Sequence, residues 1–118
     1  MSGSRVVAVV DDDLAVLDSL KFLLETAGYA VAAYNSATAF LADGSSRPAC
    51  LIVDQHMPMM TGLELAARLR DEAAAVPVLL ITGSPSPAIV ARANQLGIAM
   101  LEKPPAEDDV LTFIDRHV

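Results

Sequence analysis

Five short apolar runs, each followed by a helical signal, constrain this chain more than any other feature. The runs are Arg5–Val10, Tyr29–Tyr34, Ala49–Val53, Val76–Ile81 and Ile98–Leu101. The helical stretches after them are Leu14 to about Ala27, Ala37–Ala42, Leu63–Glu72, Ala88–Leu96 and Glu107–His117. A β-branched run bounded by polar residues reads as a parallel strand buried on both faces. Alternation at this spacing calls for a parallel sheet with helices on both sides. Right-handed crossovers and the doubly wound rule then favour α/β architecture, a single (βα)5 sheet with strand order 2-1-3-4-5.

Local signals agree with those elements. Asp13 reads as an N-cap, and Gly28 as the residue that closes the first helix. Val16, Leu20, Leu23, Leu24 and Ala27 share one face of that helix. Ser36 can cap the second helix, and Asp43 to Pro48 form a loop. Gly62 reads as a backbone requirement of the turn before the third helix, and Met57, Met59 and Met60 as loop packing. Pro77 lies near the start of a strand, where proline is tolerated. Glu107, Asp108 and Asp109 suit a helix first turn, and His117 a helix C-terminus.

Composition narrows the class. With 118 residues the chain has room for one domain, 1–118, and none for an effector domain. It is 53% hydrophobic, which leaves little of it to be disordered. No apolar run is long enough to span a bilayer, so no membrane partner is expected. Met1-Ser2-Gly3-Ser4-Arg5 lacks the apolar region of a secretory signal. The one cysteine, Cys50, has no partner for a disulfide and reads as a small buried hydrophobe at a strand start. These points lead to an expected cytoplasmic location. A net charge of −7 argues against direct nucleic-acid binding, which needs a basic footprint.

Ligands of an open α/β sheet bind beyond the carboxyl ends of its strands. Asp11 and Asp12 follow the first strand, Asp54 the third, Thr82 the fourth and Lys103 the fifth. The assumed order makes strands 1 and 3 neighbours, so three carboxylates would share one cavity. Like charges that close raise one another's pKa unless a cation intervenes. Mg²⁺, hard and tolerant of a partly hydrated site, is the natural remedy. Lys103 supplies a point charge for an anion, and Thr82 a hydroxyl that can donate to a phosphoryl oxygen. A carboxylate can itself be the nucleophile and form an aspartyl phosphate.

Val9-Val10-Asp11-Asp12, Ile52-Val53-Asp54, Met57-Pro58 through Gly62, Ile81-Thr82-Gly83 and Glu102-Lys103-Pro104 stand in order along the chain. With them the sequence resembles a response-regulator receiver domain of bacterial two-component signalling, over essentially its whole length. Its Thr82-Gly83 and Glu102-Lys103-Pro104 wording looks most like receivers that precede helix-turn-helix transcription domains. The resemblance implies the flavodoxin-like receiver fold, with Asp54 as phosphoacceptor and Asp11 and Asp12 holding Mg²⁺ together with Asp54. It adds the backbone carbonyl of His56 as a further metal ligand, Thr82 and Lys103 as contacts of the phosphoryl group, and a cis Lys103–Pro104 bond. A histidine kinase or phosphotransfer protein would be the donor. A homodimer through the fourth helix, fifth strand and fifth helix is open. For the His56 side chain both a solvated surface role and an effect on phosphate lifetime remain open.

The chain departs from the family in three places. Met100 occupies the position, three before the lysine, where receivers often carry an aromatic residue that turns inward when the threonine engages phosphate. A flexible apolar side chain without a hydroxyl makes that switch unexpected in its usual form. Pro105 follows Lys103-Pro104 where such receivers tend to have Phe. Ser84-Pro85-Ser86-Pro87 is rich in proline, which fixes φ and removes donors. Phosphorylation is therefore expected, with altered structural transmission.

Three other functions compete. A Mg²⁺-dependent phosphohydrolase with an aspartate nucleophile would use similar carboxylates, but Gln55-His56 follow Asp54 with no second acid two residues on, and no cap domain or extended substrate pocket is encoded. An FMN carrier of the same strand order needs a Ser/Thr/Gly-rich phosphate loop after the first strand, and here that loop is acidic. A receiver-like scaffold without chemistry would not need the acidic pair, acceptor, threonine and lysine together.

Overall fold

The computed structural model describes residues 6–43, 47–72 and 75–118. Arg5, in the expected first strand, and residues 44–46, in the expected loop, lie outside them. The strands are β1 (Val6–Val10), β2 (Ala30–Tyr34), β3 (Cys50–Asp54), β4 (Val78–Thr82) and β5 (Ala99–Glu102). The helices are α1 (Leu14–Thr26), α2 (Ala37–Ala42), α3 (Gly62–Asp71), α4 (Pro87–Leu96) and α5 (Glu107–His117). All strand pairs are parallel, in the order β2-β1-β3-β4-β5 expected from sequence.

Alternation along the strands divides the core between two faces. Ala8, Val10, Leu51, Val53, Val78 and Leu80 pack with Phe40 of α2, Leu65 and Leu69 of α3 and Ala93 of α4. Val7, Val9, Cys50, Ile52, Leu79 and Ile81 pack with Leu17 and Leu24 of α1 and Val110 and Ile114 of α5. The central strands β3 and β4 are buried throughout, which explains their unbroken apolar sequence. Cys50 is buried at the start of β3, as expected.

Capping sets where the helices begin. Asp13 accepts from the backbone N–H groups of Ala15 and Val16, and Ser36 from that of Ala39. Thr61 and Glu64 form a capping box at α3, which fixes the point where the chain leaves the β3–α3 loop. Ser86 caps α4 by accepting from Ile89 N–H, and Pro87 occupies the first turn, where its missing N–H costs nothing. The proline-rich stretch thus has a structural role in starting α4. Gly97 ends α4 in the left-handed region, φ +67°.

Four expectations need correction. Leu17, not Ala27, completes the buried stripe of α1 with Leu24, because the helix ends at Thr26 and Ala27 is its exposed C-cap. The fourth strand starts at Val78 rather than Val76, since Pro77 has no N–H to give the ladder and joins it only by accepting from the Leu51 N–H, and it runs on through Thr82. Gly62 is already helical and has no positive φ. A Cβ there would sit 2.5 Å from Leu80 Cδ1 and 2.6 Å from the Asp54 carbonyl oxygen, so close approach requires the glycine. The left-handed residue of this loop is Met59, with φ +73°, and its side chain is 93% exposed rather than packed. Met57 is buried and Met60 half-buried, as expected.

Candidate functional site

Strand register brings the polar residues together. Val10 pairs with Val53, so Asp11 and Asp54, each one residue on, emerge side by side. Asp54 is the last residue of β3 and pairs with Ile81, and the Gln55 N–H donates to the Ile81 carbonyl, which sets Thr82 beside the acceptor loop. Thr82 pairs with Glu102, and the Lys103 N–H donates to the Thr82 carbonyl. Lys103 is thereby delivered to the same edge, with the Lys103–Pro104 bond cis.

Asp11 and Asp54 are almost completely buried, at 3% and 4% exposure, whereas Asp12 is exposed. One carboxylate oxygen from each of the three lies within 4.8 Å of the others. Asp11 Oδ1 accepts from the Asp13 N–H at 2.9 Å, which fixes its rotamer. Lys103 Nζ approaches Asp54 Oδ1 to 2.6 Å. That buried oxygen has no partner other than Lys103 among the described residues.

Electrostatics follow from burial and charge. Burial pushes the Asp11 carboxyl above the usual carboxylate range, and the neighbouring Asp54 and Asp12 add to the rise, while the Asp13 N–H and Lys103 pull against it. Burial opposes the Lys103 ammonium, but Asp54, Asp11 and Asp12 together outweigh it and raise its pKa. The pocket therefore carries a fixed cation against a surplus of carboxylates. Three oxygen donors with no nitrogen or sulfur suit a hard cation, and Asp54 Oδ1, with Lys103 its one close partner, keeps a lone pair for one.

Thr82 is fully buried, and its Oγ1 accepts from the Ser84 N–H at 3.2 Å. The same oxygen lies 3.4 Å from Nε2 of His56, whose ring is otherwise exposed. Asp11, Asp12, Asp54, His56, Thr82 and Lys103 thus meet at one edge of the sheet. Gln55 was overlooked. Buried to 6% exposure, it accepts from the Leu63 N–H through Oε1 and from the Gly62 N–H through its carbonyl, tying α3 to the end of β3. A polar side chain between a buried strand and an apolar loop was the available signal. Beside the acidic edge a groove of about 570 Å³ runs between α1 and α5, lined by Val16, Leu20, Leu23, Pro104, Pro105 and Val110 among others.

This fold and this pocket define a receiver-type signalling domain. The chain belongs to the response regulator receiver domain family, whose family model matches residues 7–115. It is 37% identical over 113 residues to the transcriptional regulatory protein FixJ of Bradyrhizobium diazoefficiens, covering 95% of this chain and 55% of that protein. It is 38% identical over 111 residues to the response regulator protein TmoT of Ectopseudomonas mendocina, covering 92% of this chain and 50% of that one. The crystal structure of FixJ-N superposes with a TM-score of 0.87 at 34% identity, over 98% of this chain and 94% of that chain. The chain spans about half the length of these curated relatives. It is thus a receiver domain of the two-component type, similar to those of transcriptional regulators. No helix among the described residues is long and apolar enough to cross a membrane.

Proposed function

We propose that residues 1–118 form one receiver domain that takes a phosphoryl group onto Asp54 from a histidine kinase or a phosphotransfer protein. The observation that carries this reading is a buried Asp54 carboxylate paired with Lys103 at 2.6 Å and bordered by Asp11 and Asp12. An Asp54 oxygen forms a bond to phosphorus as the bond from phosphorus to the donor imidazole nitrogen breaks. The imidazole keeps the electron pair and takes a proton from solvent. The Lys103 ammonium balances charge on the phosphoryl oxygens, and the Thr82 hydroxyl donates to one of them.

Asp11, Asp12, Asp54 and the His56 backbone carbonyl are the residues that would hold Mg²⁺. Bound there, the ion would neutralise charge shared between carboxylate and phosphoryl oxygens. Asp11 is held for this role by the Asp13 N–H, and burial keeps bulk water from the acceptor. The chemistry is self-directed, with phosphorylation and dephosphorylation of its own Asp54 as the only reactions. The output is a changed affinity for a partner, in transcriptional or other signalling control in the cytoplasm, with homodimerisation through α4, β5 and α5 as one form of it. A phosphoryl group shifts such an equilibrium only through contacts that differ between the two states.

The test is intact mass after incubation with Mg²⁺ and acetyl phosphate. One added phosphoryl group, absent without Mg²⁺, is expected. No addition together with no Mg²⁺ binding would favour a scaffold role. Steady turnover of an external phosphomonoester would favour a hydrolase.

A further inference from the structure

The Thr82 hydroxyl has two neighbours before any phosphoryl group arrives. Its oxygen accepts from the Ser84 N–H, and Nε2 of His56 lies 3.4 Å away; in the Nδ1–H tautomer that nitrogen accepts the hydroxyl proton. That distance is at the long end of a hydrogen bond, so the contact is weak and easily exchanged. Thr82 itself is fully buried, while the His56 ring is exposed. The pair therefore links a buried hydroxyl at the acceptor to a ring at the surface.

On the other side of Thr82, β5 sets Glu102 opposite it in the ladder, but among the described residues no side-chain hydrogen bond joins the two, and the residue two earlier is Met100. Met100 pairs with Leu80 and packs against the apolar cluster that includes Ala93, Ile89 and Leu96. Its thioether is at best a weak acceptor and donates nothing. Among the described residues, the side-chain partner of the Thr82 hydroxyl is thus on the β3–α3 loop.

We propose that His56 is a positioning residue that latches the Thr82 hydroxyl in the unphosphorylated domain, so that a phosphoryl group at Asp54 must displace the imidazole and thereby frees an exposed ring at the surface. This rests on the phosphoacceptor reading of the site. The latch lowers the domain's affinity for a phosphoryl mimic, because the hydroxyl must leave one partner to gain another. Loss of the ring therefore tightens binding of the mimic by roughly two- to threefold, the low end for a single hydrogen bond. The same loss has no effect where the hydroxyl has already been removed.

The experiment is a double-mutant cycle on the full chain with His56→Ala, Thr82→Ala and both, reading the affinity for beryllofluoride in the presence of Mg²⁺. Ring ¹⁵N spectra of His56 are recorded alongside, with His117 as the internal reference. Tighter binding of the mimic in His56→Ala, no further change when Thr82 is already alanine, and a His56 ring shift in Thr82→Ala without any mimic are expected. Additive effects in the cycle, or a His56 ring indifferent to Thr82→Ala, overturn the latch while leaving the phosphoacceptor reading intact. Failure of the parent protein to bind the mimic overturns that reading and the latch together. His56→Gln, which keeps a side-chain acceptor, is expected to restore part of the parent affinity, and a Gln variant indistinguishable from Ala counts against the latch.

Discussion

Replacing Gly62 by alanine probes how the fold holds the acceptor in place. The new methyl would lie 2.5 Å from Leu80 Cδ1 and 2.6 Å from the Asp54 carbonyl oxygen, with the Asp54 carbonyl carbon at 3.2 Å. Leu80 is fully buried, so it has little room to retreat. Yielding by the other neighbour means moving the backbone of Asp54 itself. Overpacking of this kind costs about 1–3 kcal/mol. The helix propensity gained on exchanging glycine for alanine returns less than about 1 kcal/mol at a first-turn position. A net loss of about 1 to 2 kcal/mol lowers the melting temperature by roughly 4 to 8 °C in a domain of this size. Gly83 is the matched control, since a Cβ there meets Lys103 carbons at 3.8 and 3.9 Å, in ordinary contact. Thermal and urea unfolding of Gly62→Ala and Gly83→Ala, with the rate of phosphorylation by acetyl phosphate, make the comparison. Gly62→Ala should be the less stable and the slower of the two. Equal stability of the two variants would refute the reasoning that close packing, rather than turn conformation, demands Gly62.

Other expectations follow from the same contacts. Met59→Gly should stabilise the domain by about 0.5–1 kcal/mol, the left-handed penalty removed less the added freedom of the unfolded chain, and urea titration checks it. Asp13→Ala should cost about 1 kcal/mol through loss of the α1 cap, read in the same titration. Because burial raises the Asp11 carboxyl, its ionised form destabilises the metal-free fold above its folded pKa and ceases to do so as pH falls through that value. Asp11→Asn should therefore be more stable than the parent at neutral pH, with the difference closing in acid, as measured by unfolding across pH. Cys50, fully buried and with its thiol pushed up to about 11, should react with a thiol reagent only as fast as the domain opens.

Much of this architecture was legible in the sequence because its elements carry redundant signals. β3 and β4 are continuous apolar runs, and the acidic, hydroxyl and basic residues fall immediately after four of the five strands. Strand order then sufficed to gather Asp11, Asp54, Thr82 and Lys103 at one edge. What escaped depends on distances through space. Gly62 was attributed to a turn because sequence shows that a glycine is present but not what lies 2.5 Å from it. Met59 was read as packing because hydrophobicity suggests burial, and nothing local announces a positive φ on a methionine. Gln55 and the contact between His56 and Thr82 join residues whose partners lie on other elements, so neither could be inferred from local pattern. Ala27 was counted with the buried face because sequence periodicity does not show that the helix ends one residue earlier, at Thr26.

The central claim is that Asp54 is the residue that accepts the phosphoryl group. Reductive cleavage with borohydride tests it most directly, since it converts an acyl phosphate to an alcohol and marks the acceptor permanently. After incubation with Mg²⁺ and acetyl phosphate, peptide sequencing should find homoserine at position 54 and leave Asp11 and Asp12 unchanged. Homoserine at Asp11 or Asp12 instead of position 54, or at none of the three in a protein that binds Mg²⁺ and gains a phosphoryl group, would contradict the account.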